Sequence, residues 1–507
     1  MKSESRRSLP ALRLGLACFL ALTSGATAAT FTVANLADSG PNSLRQAALD
    51  ANAAPGADVL AFAPGLTGTI TLTSGEIRIT DSLAVDGPGA GVLTVSGNDQ
   101  SRIFHVENLA VAAPIDVTLS SLRLTRGQSG GSGPGGAVFA DSENLTILDS
   151  VISDSMSGLA QDPPVAGCGG NVGFLGTSGG TLRIADSTLT GGAAVDLGPS
   201  FGGNLCVVGG KLILERSTLS GGIATTGGGL YLDALTEDSS IVSSTFSGNE
   251  VSEAGGGIAV DPLGVVLTIE SSTISGNTAG SGAPGFNNAF GGGLYIVLGN
   301  PRIINSTISG NQAGYGGGVS FSGDGSNTLL LRLTTVLNNT AGRKGGSLLI
   351  GGLNGVHPAA TVQLDHSIVA NGDAEDLASL MAGPFPVTAN YSLIETPGVA
   401  VLTGANNLVG LDPSIGPLAN NGGPTLTHRP LPGSPVIDAG NPAIPSPPAT
   451  DQRGFARIFG AAVDLGSVEA RPELIEIPTL SQMGLLVLAA LLCLASLWRL
   501  RRATDSP

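Results

Sequence analysis

GGGLYLDALTEDSSIVSSTFSGNEVSEAGGGIAVDPLGVVLTIESSTISGNTAG, residues 227–280, holds two copies of one sequence unit. Each copy opens with a glycine run and a short apolar stretch, and continues with a second stretch that ends in Ser-Thr-X-Ser-Gly-Asn. Within both stretches apolar residues alternate with polar or small ones, which is the period of a β-strand and not of a helix. The unit therefore predicts short strands joined at glycine corners, where a positive φ is often needed.

The same unit recurs along most of the chain. Its glycine-led element begins at residues 135, 169, 202, 227, 255, 291, 316 and 345. The Ser or Thr at the centre of its second element falls at residues 150, 187, 217, 244, 272, 306, 334 and 367, so the mean spacing is 31 residues. A fixed period of this length, without helical segments or a leucine-rich consensus, predicts an all-β solenoid of stacked coils, a parallel β-helix, over residues 63–410.

Residues 29–62 are predicted to cover the first coil, because an open β edge invites aggregation. FTVAN from Phe31 and DVLAF from Asp58 have the composition of strands. Between them Ser43 and Gln46 form a capping-box pattern, which predicts a short helix from Ser43 to Asn52.

Both ends of the chain carry export features. Residues 1–28 have a basic start, an apolar run and the small-residue site Ala-Thr-Ala, which predicts a cleaved signal peptide. Residues 480–498 are apolar and long enough to span a bilayer. The arginines that follow predict a cytoplasmic end for this transmembrane helix; they are Arg499, Arg501 and Arg502. We therefore expect the body of the protein to lie outside the cytoplasm.

The net charge of the chain is −16. Residues 1–28 carry +3 and residues 478–507 carry +2, which leaves −21 on the body between them. An acidic body repels nucleic acid and anionic lipid, whereas it tolerates divalent cations. We therefore expect no nucleic-acid partner.

Three stretches resemble parts of bacterial surface proteins. NSLRQAALDAN from Asn42, followed by GADVLAF, is similar to the CSLREAI segment that precedes many right-handed parallel β-helices. Leu411 to Glu469 resembles the choice-of-anchor Q region that closes such helices, which places this region at residues 411–470. IPTLSQMG resembles the IPTL type of C-terminal sorting signal, at residues 471–507; its motif is Ile477, Pro478, Thr479 and Leu480.

The resemblance implies a right-handed parallel β-helix that an exosortase-like membrane protease processes. It also implies an inner-membrane intermediate held by the C-terminal helix, followed by display at the cell surface or release. We therefore predict a non-enzymatic β-helix protein of the cell surface or extracellular space, acting in adhesion, envelope or matrix.

Parallel β-helices also include pectate lyases, polygalacturonases and pectin methylesterases, so the first alternative is a polysaccharide-active lyase or hydrolase. A carbohydrate-binding module on the same fold is the second. The Asn-Thr-Asp, Asp-Asp and Gly-His-Gly motifs of polygalacturonases do not occur in the sequence. The histidines, predicted to be structural or surface residues, are His105, His357, His366 and His428. We predict no catalytic residues.

The strand period also assigns faces to the glycine-led strand. The first and third residues after the glycines are apolar in nearly every copy, so they face the core, and the second and fourth face outward. The second-position row is Phe139, Gly173, Cys206, Tyr231, Ala259, Tyr295, Ser320 and Leu349. The fourth-position row is Asp141, Leu175, Val208, Asp233, Asp261, Val297, Ser322 and Gly351.

Two candidate sites follow from these rows. Asp233 and Asp261 are predicted to stack on adjacent coils, where they would be a Ca²⁺ site, a catalytic carboxylate pair or simply two solvated acids. Phe139, Tyr231 and Tyr295 are candidate platforms for the sugar rings of a surface polysaccharide, although aromatic residues also cover β surfaces without binding a ligand.

The rows also make predictions about polar and sulfur-bearing side chains. Cys206 is predicted to stack over Gly173, five residues from Cys168, or about 15 Å along an extended strand. An exported compartment permits a disulfide, but this distance predicts that none forms. A turn asparagine recurs and predicts a ladder of side-chain amides along one corner, formed by Asn249, Asn277, Asn311 and Asn339.

Overall fold

The N-terminal helix begins at the predicted place. In the computed structural model it runs from Leu44 to Ala53, and Ser43 caps it by accepting the Gln46 N–H at 3.2 Å. The Gln46 side chain donates to Asp50 instead of returning to the Ser43 N–H, so only half of the predicted capping box forms. The structure describes residues 28–108, 113–130, 133–158, 167–195, 198–261, 264–280, 288–351, 360–373, 375–381 and 383–471.

The strands stack in parallel ladders, as the repeat predicts for a β-helix, and every ladder pairing runs parallel. The glycine-led face consists of Ile77–Ile79, Phe104–Val106, Val138–Asp141, the first halves of Val172–Ala185 and Leu205–Glu215, Leu230–Asp233, Ile258–Val260, Leu294–Val297, Val319–Ser322, Leu348–Ile350 and Leu377–Ser379.

The second element of each unit begins with the leucine-led face. It consists of Thr30–Val33, Asp58–Phe62, Leu83–Asp86, Asp116–Ser120, Asn144–Leu148, the second halves of Val172–Ala185 and Leu205–Glu215, Ser239–Val242, Leu267–Glu270, Arg302–Ile304, Thr328–Arg332, Thr361–Asp365, Phe385–Asn390 and Ala400–Thr403. The two long strands pass through the corner between the faces, so both faces belong to one sheet.

Two further sheets complete the coils. The serine-led face consists of Gly68–Thr71, Leu93–Ser96, Arg123–Thr125, Val151–Ser153, Thr188–Thr190, Thr218–Ser220, Thr245–Ser247, Thr273–Ser275, Thr307–Ser309, Thr335–Leu337, Ile368–Ala370, Leu393–Ile394 and Leu408–Val409. The short face consists of Met156–Gly158, Ala193–Val195, Ile223–Thr226, Glu250–Ala254, Thr278–Ala279, Gln312–Tyr315 and Thr340–Lys344.

The core runs along the axis of the coils. Leu230 and Leu232, the first and third residues after one glycine run, are fully buried in it, as the strand period predicts. The glycines are needed because the chain turns sharply beside the next coil. Gly227 has a φ of +69°, and a Cβ on Gly228 would lie 2.6 Å from the carbonyl oxygen of Gly256.

Buried hydroxyls join neighbouring coils at the start of the serine-led face. Ser217 Oγ accepts the N–H of Ser187, one coil earlier, at 3.1 Å and donates to the carbonyl of Glu215 at 2.7 Å. The same relay occurs at Ser187, Ser244, Ser272 and Ser367. In each of these coils the buried serine hydroxyl therefore both accepts and donates a hydrogen bond.

The predicted asparagine ladder is confirmed. Asn277 Oδ1 accepts both the main-chain N–H and the side-chain amide of Asn249, at 3.1 and 2.8 Å, and the Asn277 amide donates to Asn311 Oδ1 at 2.9 Å. The ladder extends further than the turn motif, because Asn204 and Asn171, from the glycine-led element, continue it.

Residues 411–469 lie along the serine-led face. Gln452 Nε2 donates to Thr273 Oγ1 at 2.9 Å, and its Oε1 accepts from Thr307 Oγ1 at 2.7 Å. An apolar cluster continues the contact; it contains Leu337, Ile368, Ala370, Leu393, Val436 and Leu465. We call residues 411–469 the C-terminal segment.

No helix within the described ranges is long and apolar enough to cross a membrane. The predicted signal peptide, except Ala28, and the predicted transmembrane helix at 480–498 lie outside the described residues, as do the sorting motif and the arginines after it. His357 also lies outside them.

Candidate functional site

The second-position row of the glycine-led face, which we call the outward row, has the predicted register, but other residues of the chain cover it. Gly173 pairs with Cys206, Cys206 with Tyr231, and Tyr231 with Ala259. The residues that precede each glycine run pack over this row and form their own bridges; they are Cys168, Phe201, Thr226, Ala254, Phe290 and Tyr315. A second apolar layer therefore lies outside the main core.

The prediction that Cys168 and Cys206 remain apart is wrong. The two residues form a disulfide, with their Cα atoms 5.4 Å apart. The estimate of about 15 Å assumed an extended chain, whereas Gly169 takes a φ of +73° and turns the chain at the corner. Cys168 consequently lies over the outward row, where it meets Cys206.

Tyr231, Asp233 and Asp261 meet on adjacent coils, as predicted. Leu232 pairs with Val260, so the two aspartates follow at equivalent positions. The Tyr231 hydroxyl donates to Asp261 Oδ2 at 2.6 Å. Burial, with repulsion from Asp261, raises the pKa of Asp233. Burial and the bond to Asp261 raise the pKa of Tyr231, so the phenol stays protonated.

Tyr295 belongs to the same patch. It pairs with Ala259 on the coil after Tyr231 and is partly buried. Burial, together with the charge of Asp261, raises its pKa. We call Tyr231, Tyr295, Asp233 and Asp261 the tyrosine–aspartate patch.

The patch offers a cation two carboxylates and no other acidic group. Ca²⁺ takes six to eight oxygen ligands, so most of them would have to come from elsewhere. In the part of the chain that the structure describes, no group of three or more His, Cys, Asp or Glu side chains is arranged to hold a metal ion.

Phe139 lies far along the row from this patch. Its ring stacks at a tilt on His105, with centroids 5.0 Å apart, and the Arg102 guanidinium lies 5.2 Å from its centre. Arg102 is buried and donates to the carbonyls of Pro134 and Gly135 at 2.9 and 2.8 Å. Phe139 is itself buried, so this part of the row packs internally.

Sequence reasoning missed the charged group beneath Phe139. Glu76 forms an ion pair with Arg102 and a hydrogen bond with His105 Nδ1, the latter at 3.0 Å. Burial favours the neutral acid, but His105 and Arg102 outweigh it and lower the pKa of Glu76 to about 2. A signal was present, because the outward row extends back from Phe139 through His105 to Arg78.

Two histidines join the solenoid to the C-terminal segment. His428 bonds to Ser309 Oγ and to the Gly416 carbonyl, both at 2.7 Å, and burial lowers its pKa. His366 bonds to Asp365 at 2.6 Å and accepts the N–H of Asn441 at 3.0 Å. Both rings use both nitrogens in these contacts, which supports their predicted structural role.

Among solved structures, the crystal structure of the pectate lyase Pel9A matches this chain with a TM-score of 0.42 and 14% sequence identity. The match covers 89% of this chain and 98% of that one. No protein-family model matches the chain, and neither does any curated protein. The assignment of a parallel β-helix rests on the strand pairing described above, and nothing about activity follows from this likeness.

Proposed function

We propose that the protein is an exported, non-enzymatic β-helix that is displayed at the cell surface and acts in adhesion, envelope or matrix. The observation that carries the proposal is the Cys168–Cys206 disulfide. Structural disulfides persist in oxidising compartments outside the cytoplasm and are rare within it. Export through the leader at residues 1–28 accounts for this bond.

The hydrogen-bond ladders of the solenoid support a non-enzymatic role. The serine and asparagine ladders recur from coil to coil, which is typical of a structural scaffold and not of a local reaction centre. A scaffold of stacked coils suits display of a surface outside the cell.

Surface display is tested by expressing the full chain in a bacterium that has an exosortase-like protease. We expect the body to be accessible to added protease on intact cells and to carry the disulfide. Pro478→Ala should leave an unprocessed precursor in the inner membrane, because the altered sorting motif is not cleaved. Ser481→Ala, beside the motif, is the matched control. A chain that stays in the cytoplasm with free thiols contradicts the proposal.

The tyrosine–aspartate patch favours one alternative, a polysaccharide-active enzyme. Burial and repulsion from the neighbouring Asp261 raise the pKa of Asp233, and a carboxyl group whose pKa is raised can serve as the general acid of a glycosidase. The test is to incubate the purified full chain with neutral and acidic polysaccharides, with and without Ca²⁺. We expect no cleavage. Reproducible cleavage that Asp233→Ala or Asp261→Ala abolishes would establish the alternative.

A further inference from the structure

An open cleft of about 520 Å³ lies between the leucine-led face and the C-terminal segment. Three consecutive coils supply its floor, since Arg332 pairs with Asp365 and Asp365 with Asn390 in the ladder. Gln363 and Thr388 are paired in the same coils, two residues earlier. Pro445 and Asn441 of the C-terminal segment form the opposite wall.

The walls of the cleft are held in place by contacts that do not need a ligand. His366 accepts the Asn441 N–H at 3.0 Å, and its ring stacks on Tyr391 with centroids 5.0 Å apart and planes 8° apart. Arg332 donates to the carbonyl of Pro445. The cleft is therefore formed in advance, which reduces the entropy lost on binding.

The charges at the floor of the cleft compensate one another. Arg332 Nε lies 3.0 Å from Asp365 Oδ2, and the other oxygen of Asp365 bonds to His366 Nδ1 at 2.6 Å. A strongly anionic or cationic ligand would find no unpaired opposite charge among these groups.

Neutral polar groups in the cleft remain available. The exposed amide of Gln363 and the hydroxyl of Tyr391 have no partner within the described residues. Asn390 Oδ1 accepts the N–H of Ala405 at 3.1 Å, which leaves its NH₂ group available. Leu330 and Pro445 add apolar surface. Donors and acceptors beside apolar surface match the hydroxyls and C–H faces of a sugar.

We propose that this cleft binds a short, neutral saccharide. The Gln363 amide, the Asn390 NH₂ and the Tyr391 hydroxyl bond to sugar hydroxyls, and Leu330 and Pro445 pack against the ring. The site is separate from the tyrosine–aspartate patch. It requires neither surface display nor catalysis, so it can fail while the proposed function holds.

Calorimetric titration of the purified full chain with gluco-, xylo- and manno-oligosaccharides, and with oligogalacturonate, tests the proposal. At least one neutral oligosaccharide should bind, and oligogalacturonate should bind at least tenfold more weakly. Gln363→Ala and Tyr391→Phe should each weaken binding about three- to tenfold, the effect of one lost hydrogen bond. Gln363 is exposed, and Tyr391→Phe keeps the ring that stacks on His366, so the melting temperature should stay constant.

Asp233→Ala, in the tyrosine–aspartate patch, is the matched control and should bind as the unaltered chain does. Absence of binding to every neutral oligosaccharide at millimolar concentration would overturn the proposal. So would undiminished affinity in a Gln363→Ala/Tyr391→Phe double variant, a preference for oligogalacturonate, or loss of binding in Asp233→Ala alone.

Discussion

Individual polar side chains inside the solenoid act as links between coils. Asn277 is fully buried, and it receives two hydrogen bonds from Asn249 while donating to Phe246 O and Asn311 Oδ1. Its repeated spacing made this role predictable from the sequence. The part played by Asn171 and Asn204 was not predictable, because these residues follow the glycine run and reach the ladder only through the folded corner.

Asn277→Ala should lower the free energy of unfolding by about 1–3 kcal/mol, because it leaves buried donors of Asn249 without an acceptor. Urea unfolding followed by circular dichroism measures the effect. Gln363→Ala, which removes an exposed amide, is the control and should change stability by less than about 0.5 kcal/mol. An Asn277→Ala midpoint equal to that of the control would contradict the ladder's role.

Asp233→Asn should raise the melting temperature at pH 7 and leave it nearly unchanged at pH 3. Burial and Asp261 raise the pKa of Asp233 in the folded state. Below the unfolded pKa the carboxyl is protonated in both states, and as pH rises through the folded pKa its ionisation destabilises the fold. Thermal melts of both proteins at the two pH values test this. An equal rise in melting temperature at both pH values would contradict the statement that burial and Asp261 raise the pKa of Asp233.

At the scale of elements, strand register was predictable and the covering layer was not. The alternation of apolar residues places Leu230 and Leu232 inward. Cys168, Phe201 and Phe290 share one position, directly before a glycine run, but they do not share a residue type, and the sequence does not show that this position folds over the outward row. They come together only because the corner glycines turn the chain over the outward row.

Replacement of both cysteines by serine should lower the free energy of unfolding by about 2–4 kcal/mol, since the disulfide closes a loop across one coil. Denaturant unfolding measures the loss. In reductant, the free energy of unfolding of the unaltered protein should fall by a similar amount. This comparison distinguishes loss of the disulfide from any effect of the serine side chains. No loss in either sample would contradict the corner geometry.

Gln452→Ala should loosen the C-terminal segment without unfolding the solenoid. The Gln452 side chain bonds to Thr273, Thr307 and Thr425, so it joins the segment to two coils. Hydrogen exchange should become faster within residues 411–469 and stay unchanged on the glycine-led face. Gln100→Ala, at an exposed turn, is the control. Equal protection of the segment in both variants would contradict this docking role.

At the scale of the whole molecule, the two ends of the solenoid differ. The N-terminal end carries the helix Leu44–Ala53, whereas Ala400–Thr403 pairs on one side only within the described residues. Val399 and Val401 are 62% and 50% exposed beside this edge. The sequence predicted a cover for the first coil from its capping motif, but it gave no measure of how far the C-terminal segment covers the last one.

We expect the exposed edge strand to pair with a second copy at high concentration, and Val401→Lys should reduce this association, because a charge on an exposed edge opposes pairing with a second edge. Sedimentation velocity over a range of concentrations measures this. Thr403→Lys, on the same edge strand, should have a similar effect if the edge itself associates. Association that persists unchanged in both variants would place the contact elsewhere.

The corner of the β-helix brings Cys168 over Cys206, and we propose that the chain is exported. The most direct test is to alkylate the envelope fraction without reductant and map its peptides by mass spectrometry. We expect a peptide pair linked through Cys168 and Cys206, with neither thiol alkylated. Alkylation of both cysteines in protein recovered from the envelope would contradict the corner geometry and remove the observation on which the proposed export rests.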